Sequence, residues 1–495
     1  MNMLLGRDRT QAPGNARRLA LATGLVLAGS ALLYGYSLAP DLLWGDDAMY
    51  QRVLATGAWD IHPVWGVLAP LFARLPWGSL AFRANLASAV YAVGAVLFLF
   101  LSAYELTRSV RAALSAGAIF AVSHLFWLES VRAEVYTLQM LLFFGGLWAF
   151  LHWRQAPDRW LWLLLGLLLW WVGTVNHLLL ALSLPGGLVL LLSTFSASRH
   201  KKTLLLALLV LAIVGVLVAL LTFDFSTIVL DALRNVLHST PLGISPRRLA
   251  WHVMILAYQF PAFVLLAIPG VRYLWRHDRT ATLAIGLMAL FPALFAATYG
   301  SLESYVLYLP ALGLVALLAG VGVAVATARW PPSRWLLVGV VLIGLQVGLY
   351  RITPLVVDRV APGLMPSRNL PGRQASSFFL WPPKRGYHGA RQFSEAALAV
   401  LPADTMLVTD WTIYAPLRYL QDVEGQRPDV TLVPVSPLVV QTVRENAGHR
   451  PLFLANADPR YYPISELEEH FQMRPVGPIF GLLPLEGEPP PQGGM

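Results

Sequence analysis

Arg334-Trp-Leu-Leu-Val-Gly-Val-Val-Leu-Ile-Gly-Leu-Gln-Val-Gly-Leu-Tyr350, closed by Arg351, carries no charge between its bounding arginines. Such a run approaches the roughly 17–25 apolar residues needed to cross a bilayer. Trp160 to Val175 and Thr203 to Phe223 repeat the pattern, separated from their neighbours by short clusters of Arg, Lys and Pro. Of the 495 residues, 57% are hydrophobic and only 13% charged, against roughly a quarter charged in an ordinary soluble domain. The solvent for most of this chain is therefore lipid.

Helices are expected near 19–38, 82–106, 112–128, 135–152, 160–176, 177–197, 203–223, 250–271, 280–299, 304–327 and 335–350, giving about eleven membrane spans. The first apolar stretch is longer than a signal-peptide core and reads as an anchoring helix, with a signal peptide cleaved at Ser37-Leu38-Ala39 as the competing reading of residues 1–39. With Arg7, Arg9, Arg17 and Arg18 inside, Arg108/Arg111, Arg154/Arg159, Arg199/Lys201/Lys202, Arg272/Arg276/Arg279 and Arg329/Arg334 fall on the same side. Cytoplasmic loops carry such an excess of Lys and Arg. The pattern predicts a multi-pass protein of the plasma (inner) membrane, with residues 1–18 cytoplasmic and the C-terminus outside. It also accounts for most of the net charge of +9, so no nucleic-acid partner is implied.

The membrane domain is assigned to 19–350, with outer loops at 39–81 and 224–249. In the second loop, Ile228 to Leu237 reads as an interfacial helix or a plain connector. From 351 to 485, short alternating segments replace long apolar runs. Asp404 to Asp410 reads as a strand, Ala415 to Gln421 as a helix and Val430 to Pro434 as a strand, giving a small extracytoplasmic α/β domain. Residues 486–495 are expected to be disordered.

Cysteine is absent, which excludes disulfides, thiolate metal sites and a Cys nucleophile. No phosphate-binding glycine loop, nucleophile elbow or zinc-ligand spacing is present, which disfavours nucleotide-driven pumps and those hydrolases. Ionisable groups at membrane helix ends are expensive and so mark candidate sites. Asp46-Asp47 follows the first helix; adjacent carboxylates raise each other's pKa or share a cation, or simply solvate a helix end. His62-Pro63 lies in the same loop. Glu129, Arg132 and Glu134, followed by Tyr136, occupy the turn between the third and fourth helices, as a reactive cluster or a self-neutralised cap. Asn176-His177 joins two apolar helices. Arg83, Arg247 and Arg248 are outer arginines suited to phosphate, including that of ordinary membrane lipids.

Taken in order, the acidic pair, His62-Pro-Val-Trp-Gly66, Phe126-Trp127 near Glu134-Val-Tyr136, Asn176-His177, Tyr305-Val-Leu-Tyr308-Leu-Pro310, Tyr419-Leu-Gln421 and Gly425-Gln-Arg-Pro-Asp-Val430 resemble a bacterial branch of the protein O-mannosyltransferase-like GT-C membrane glycosyltransferases. The resemblance runs from about residue 35 to 435 and rests on order and spacing. It implies a GT-C fold and transfer of a sugar, mannose being the one suggested, from a polyprenyl-phosphate carrier to a hydroxyl of protein, lipid or glycan. By analogy Asp46 is the catalytic base, with Asp47 and Glu134 as further acids. His62, Arg132 and His177 would line the donor cleft, with Arg83, Tyr136, Asn176, Arg247 and Arg248 as further substrate contacts. Family members commonly carry Glu where Met49 stands, so Asp47 would have to substitute. No nucleotide or redox cofactor is implied; a divalent metal is allowed, but the scattered carboxylates do not select one. A lipid-linked glycan polymerase or ligase, a flippase, and a receptor or scaffold remain rival readings. A cavity with Asp46 and Glu134 on its wall is the feature expected of the transferase.

Overall fold

The computed structural model describes residues 13–57, 62–195, 246–299, 304–365 and 367–485. The expected helix at 203–223, the segment Ile228 to Leu237 and the tail 486–495 lie outside them. Among the described residues six helices are long and apolar enough to cross a membrane: Ala16–Ser37, Leu80–Thr107, Leu178–Phe195, Arg279–Thr298, Ser304–Ala326 and Pro332–Val360. Counting each of two bent pairs as one span gives eight. Eleven was an expectation for the whole chain.

Both bends fall where a straight helix was expected. The stretch 112–128 divides into Val110–Ala121 and His124–Ser130, turned by 68°, because Ser123 takes an extended conformation at the break. The stretch 250–271 divides at Gln259, with an 84° turn before Val264–His277. Pro261 sits in that break and cannot donate the N–H that would continue the helix. The last span runs through Val360, so the domain boundary drawn at 351 falls inside a helix.

Helix ends follow their sequences. Ser79 accepts from the Phe82 N–H to cap Leu80–Thr107, and Asp278 caps Arg279–Thr298 through the Ala281 N–H at 3.0 Å while also pairing with Arg154. Leu336, Leu337, Val340 and Leu345 on the last span remain exposed, as expected of side chains that meet lipid tails. Between spans, small residues allow close approach. A Cβ at Gly322 would lie 1.7 Å from the Leu266 carbonyl oxygen, and one at Gly270 1.9 Å from that of Leu318. Gly322→Ala should therefore force these helices apart and cost about 1–3 kcal/mol. A lowered thermal midpoint in detergent is expected; an unchanged one would reject this packing.

The C-terminal domain has a five-stranded sheet in the order β2-β1-β3-β5-β4, formed by β1 Met406–Thr409, β2 Thr431–Pro434, β3 Leu452–Leu454, β4 Phe471–Val476 and β5 Ile479–Pro484. Interior β1 pairs in parallel with β2 and β3 and is buried along its whole length, as the apolar run Met406 to Val408 requires. The helix Trp411–Glu424, longer than the expected 415–421, begins straight after β1. Its start is fixed by Asp410, whose side chain accepts from the Thr412 N–H at 3.0 Å.

Candidate active site

The first loop is held by buried amides. Asn85, wholly buried in Leu80–Thr107, donates to the carbonyls of Ala39 and Asp41 at 3.0 and 3.1 Å. Gln51 donates to Asn85 and accepts from the Leu43 N–H. Ala39 N–H donates to the Val131 carbonyl at 3.0 Å, which brings the first loop against the turn carrying Arg132 and Glu134. Ser88 exchanges hydrogen bonds with the backbone of Glu134. Gly45, with φ of 57°, makes the turn into the helix Asp46–Thr56, a conformation that glycine adopts without strain.

The C-terminal domain completes this corner. Gly45 N–H donates to the Thr412 carbonyl at 3.1 Å, and the Trp411 indole donates to Asp46 Oδ1 at 2.6 Å. Between the domains lies a cavity of about 670 Å³ whose wall includes Asp46, Asp47, Arg132, Glu134, Tyr305 and Arg373.

The acids there are unequal. Asp46 is exposed, whereas Asp47 is 1% exposed and its Oδ1 has no hydrogen-bond partner among the described residues. Arg132 Nη2 contacts Glu129 at 2.6 Å and Glu134 at 3.8 Å, and its Nη1 lies 3.4 Å from Asp47. Three carboxylates thus share one guanidinium. Burial raises Asp47 to about 7, with Arg132 opposing and Glu129 and Asp46 reinforcing the rise. Glu134 is also pushed well above the usual carboxylate range, first by burial. Lys384 is likewise buried, and desolvation lowers its ammonium to about 7.

Because the folded Asp47 titrates above its unfolded value, its stabilising contribution is full below about pH 4 and is lost as pH rises through 7. Asp47→Asn is neutral throughout. Its thermal midpoint relative to the natural protein should therefore climb between pH 5 and pH 8; a constant difference would contradict the buried charge.

The structure brings Asp46, Asp47, Arg132 and Glu134 onto one wall but gathers His62, Tyr136, Asn176 and His177 elsewhere. None of those four lines this cavity. His62 Nδ1 is 2.7 Å from the Asn176 carbonyl oxygen, and Asn176 Oδ1 accepts from the Trp65 N–H at 2.9 Å. The His62 and His177 rings stack at 5.0 Å, with Tyr136 beside His177. This cluster pins the first loop to the turn after Leu161–Asn176. Arg83 is occupied with loop carbonyls at Ala73 and Gly78 and is also off the cavity wall. The side chains of Arg247 and Arg248 lie outside the described residues. No group of three or more His, Asp or Glu side chains converges as a metal would require among the described residues. Arg373 and Trp411 also line the cavity, and no motif in the C-terminal domain marks them.

The fold is similar to that of ArnT from Cupriavidus metallidurans in the apo state, with a TM-score of 0.59 at 18% identity over 93% of this chain and 97% of that one. It is also similar to an Archaeoglobus fulgidus oligosaccharyltransferase tethered to an acceptor peptide, with a TM-score of 0.51 at 12% identity over 96% and 74% of the two chains. The chain therefore shares the fold of these two proteins.

Sequence similarity is more particular. A family model described as the protein O-mannosyl-transferase TMEM260 N-terminal domain matches residues 62–203. The mouse protein O-mannosyl-transferase TMEM260 is 32% identical over 124 residues, covering 23% of this chain and 17% of the mouse protein. The protein is thus an integral membrane protein similar to O-mannosyltransferases and spans only a small part of that curated relative.

Proposed function

We propose that this protein transfers a sugar, with mannose the first candidate, from a polyprenyl-phosphate donor to a hydroxyl acceptor at the extracytoplasmic face of the plasma membrane. The observation that carries the reading is a cavity walled by both Asp46 and Glu134, from two separate loops, and roofed by the C-terminal domain. The acceptor hydroxyl attacks the anomeric carbon, the bond from that carbon to the phosphate oxygen breaks, and polyprenyl phosphate leaves with the bonding electrons. Asp46, the exposed acid of the pair, takes the hydroxyl proton. Trp411 orients its carboxylate through Oδ1. Asp47, beside Met49, supplies the second carboxylate, and Glu134 positions the acceptor. Arg132 balances the acids, while His62, Tyr136, Asn176 and His177 position the first loop rather than touch the reacting atoms.

The arginine asymmetry supports an N-terminus inside and a C-terminal domain outside. The protein in proteoliposomes, given labelled polyprenyl-phosphate mannose and envelope acceptors, should release polyprenyl phosphate and yield a labelled acceptor. Label that crosses the bilayer while still attached to its carrier would replace this reading with a flippase.

A further inference from the structure

One cation on the cavity wall forms no ion pair among the described residues. Arg132 is committed to three carboxylates, all within 3.8 Å, so a further anion approaching it would be repelled by its own partners. Arg373 is buried on the same cavity wall and differs in its partners. It comes from the C-terminal domain, is 6% exposed and lines the cavity. Its Nη2 donates to the Arg368 carbonyl at 3.2 Å, while its buried Nε has no hydrogen-bond partner among the described residues. None of the ion pairs among those residues involves it. The neighbouring Asp410 is already engaged by Arg368 and by the Tyr462 hydroxyl.

Aromatic rings hold this guanidinium without neutralising it. Trp44, Phe378 and Phe379 surround it with centroids 5.6–5.7 Å away, and the Phe378 ring also carries the Lys384 ammonium at 5.0 Å. An uncompensated buried charge is costly, and loss of either partner of a buried pair is costly for the same reason. A guanidinium kept in this state, fixed in direction by three rings and opening on a cavity, is prepared for an anion that arrives with the ligand. Its planar fork matches a phosphate with two parallel hydrogen bonds.

We propose that Arg373 binds the phosphate of the polyprenyl-phosphate carrier, so that the C-terminal domain supplies the donor-holding cation of a cavity whose acids come from the membrane domain. This rests on the donor class proposed above. As the bond between the anomeric carbon and the phosphate oxygen breaks, its electrons pass to the departing phosphate, and Arg373 stabilises the growing negative charge without surrendering a proton. The proton lost by the acceptor goes to Asp46, so the two events are divided between the two domains.

The test uses the full chain in phospholipid-free detergent, with undecaprenyl phosphate and undecaprenol as paired probes and quenching of tryptophan fluorescence as the readout. The natural protein should prefer the phosphate, and Arg373→Gln should lose about 10- to 100-fold of that preference while binding undecaprenol as before, which also shows that the variant is folded. Arg373→Lys, a charge without the fork, should fall between. Inorganic phosphate as a separate arm shows whether the group is taken free or only on a polyprenyl tail; a loss of either in Arg373→Gln supports the assignment. Undiminished preference in both variants would overturn the role of Arg373 and leave the donor reading standing. No preference in the natural protein would overturn the donor reading itself, and this assignment with it.

Discussion

Asp46→Asn should reduce sugar transfer by about 10²–10⁴-fold, the usual cost of losing a general base, while leaving the folded protein intact. The substitution keeps the shape of the side chain and an oxygen to accept the Trp411 indole hydrogen bond, now 2.6 Å long. What it removes is the capacity to take a proton. Asp46 suits that task because it is exposed where Asp47 is buried, so an acceptor arriving from water can reach it. Labelled transfer should be measured with equal amounts of each variant, together with Glu134→Gln. Near-normal transfer by Asp46→Asn beside an inactive Glu134→Gln would move the base to the second loop. Full activity in both would sink the mechanism.

Arg132→Gln should be the most damaging single change to stability. Its guanidinium is the shared partner of Asp47, Glu129 and Glu134, which are 1%, 0% and 6% exposed. Removing one side of a buried ion pair costs about 3–5 kcal/mol because the remaining charge has neither partner nor water. Here three carboxylates lose their partner together. They can escape only by binding protons, so the variant should be poorly folded at pH 8 and partly recovered at pH 5. Yield and thermal midpoint in detergent at the two pH values provide the measurement. A variant as stable as the natural protein at pH 8 would show that the acids draw their compensation from elsewhere.

Asp46, Asp47 and Glu134 come from two separate loops of the sequence yet line one cavity. Asp46, Asp47 and Glu134 stood out because a carboxylate at a membrane helix end has no cheap explanation, and they do share one wall. The same logic singled out His62 and His177, and there it could not distinguish a ligand-facing histidine from one spent on the Asn176 backbone. Arg132, expected at the donor cleft, lines the cavity and is shared there by three carboxylates. Bends at Ser123 and near Pro261 were missed because hydrophobic runs report length and not direction.

By itself the sequence determined the solvent of each segment: long uncharged runs must lie in lipid, arginine clusters must lie at their ends, and the Met406–Thr409 strand must be buried. These follow from transfer energies that depend on a residue and its near neighbours. Only the tertiary structure decided that Trp411 meets Asp46 across 365 positions and that Arg373 opens onto the cavity of the acids. The reason is that an ion's worth depends on which partners surround it in space, and partners brought together by folding leave no period, spacing or composition in the chain.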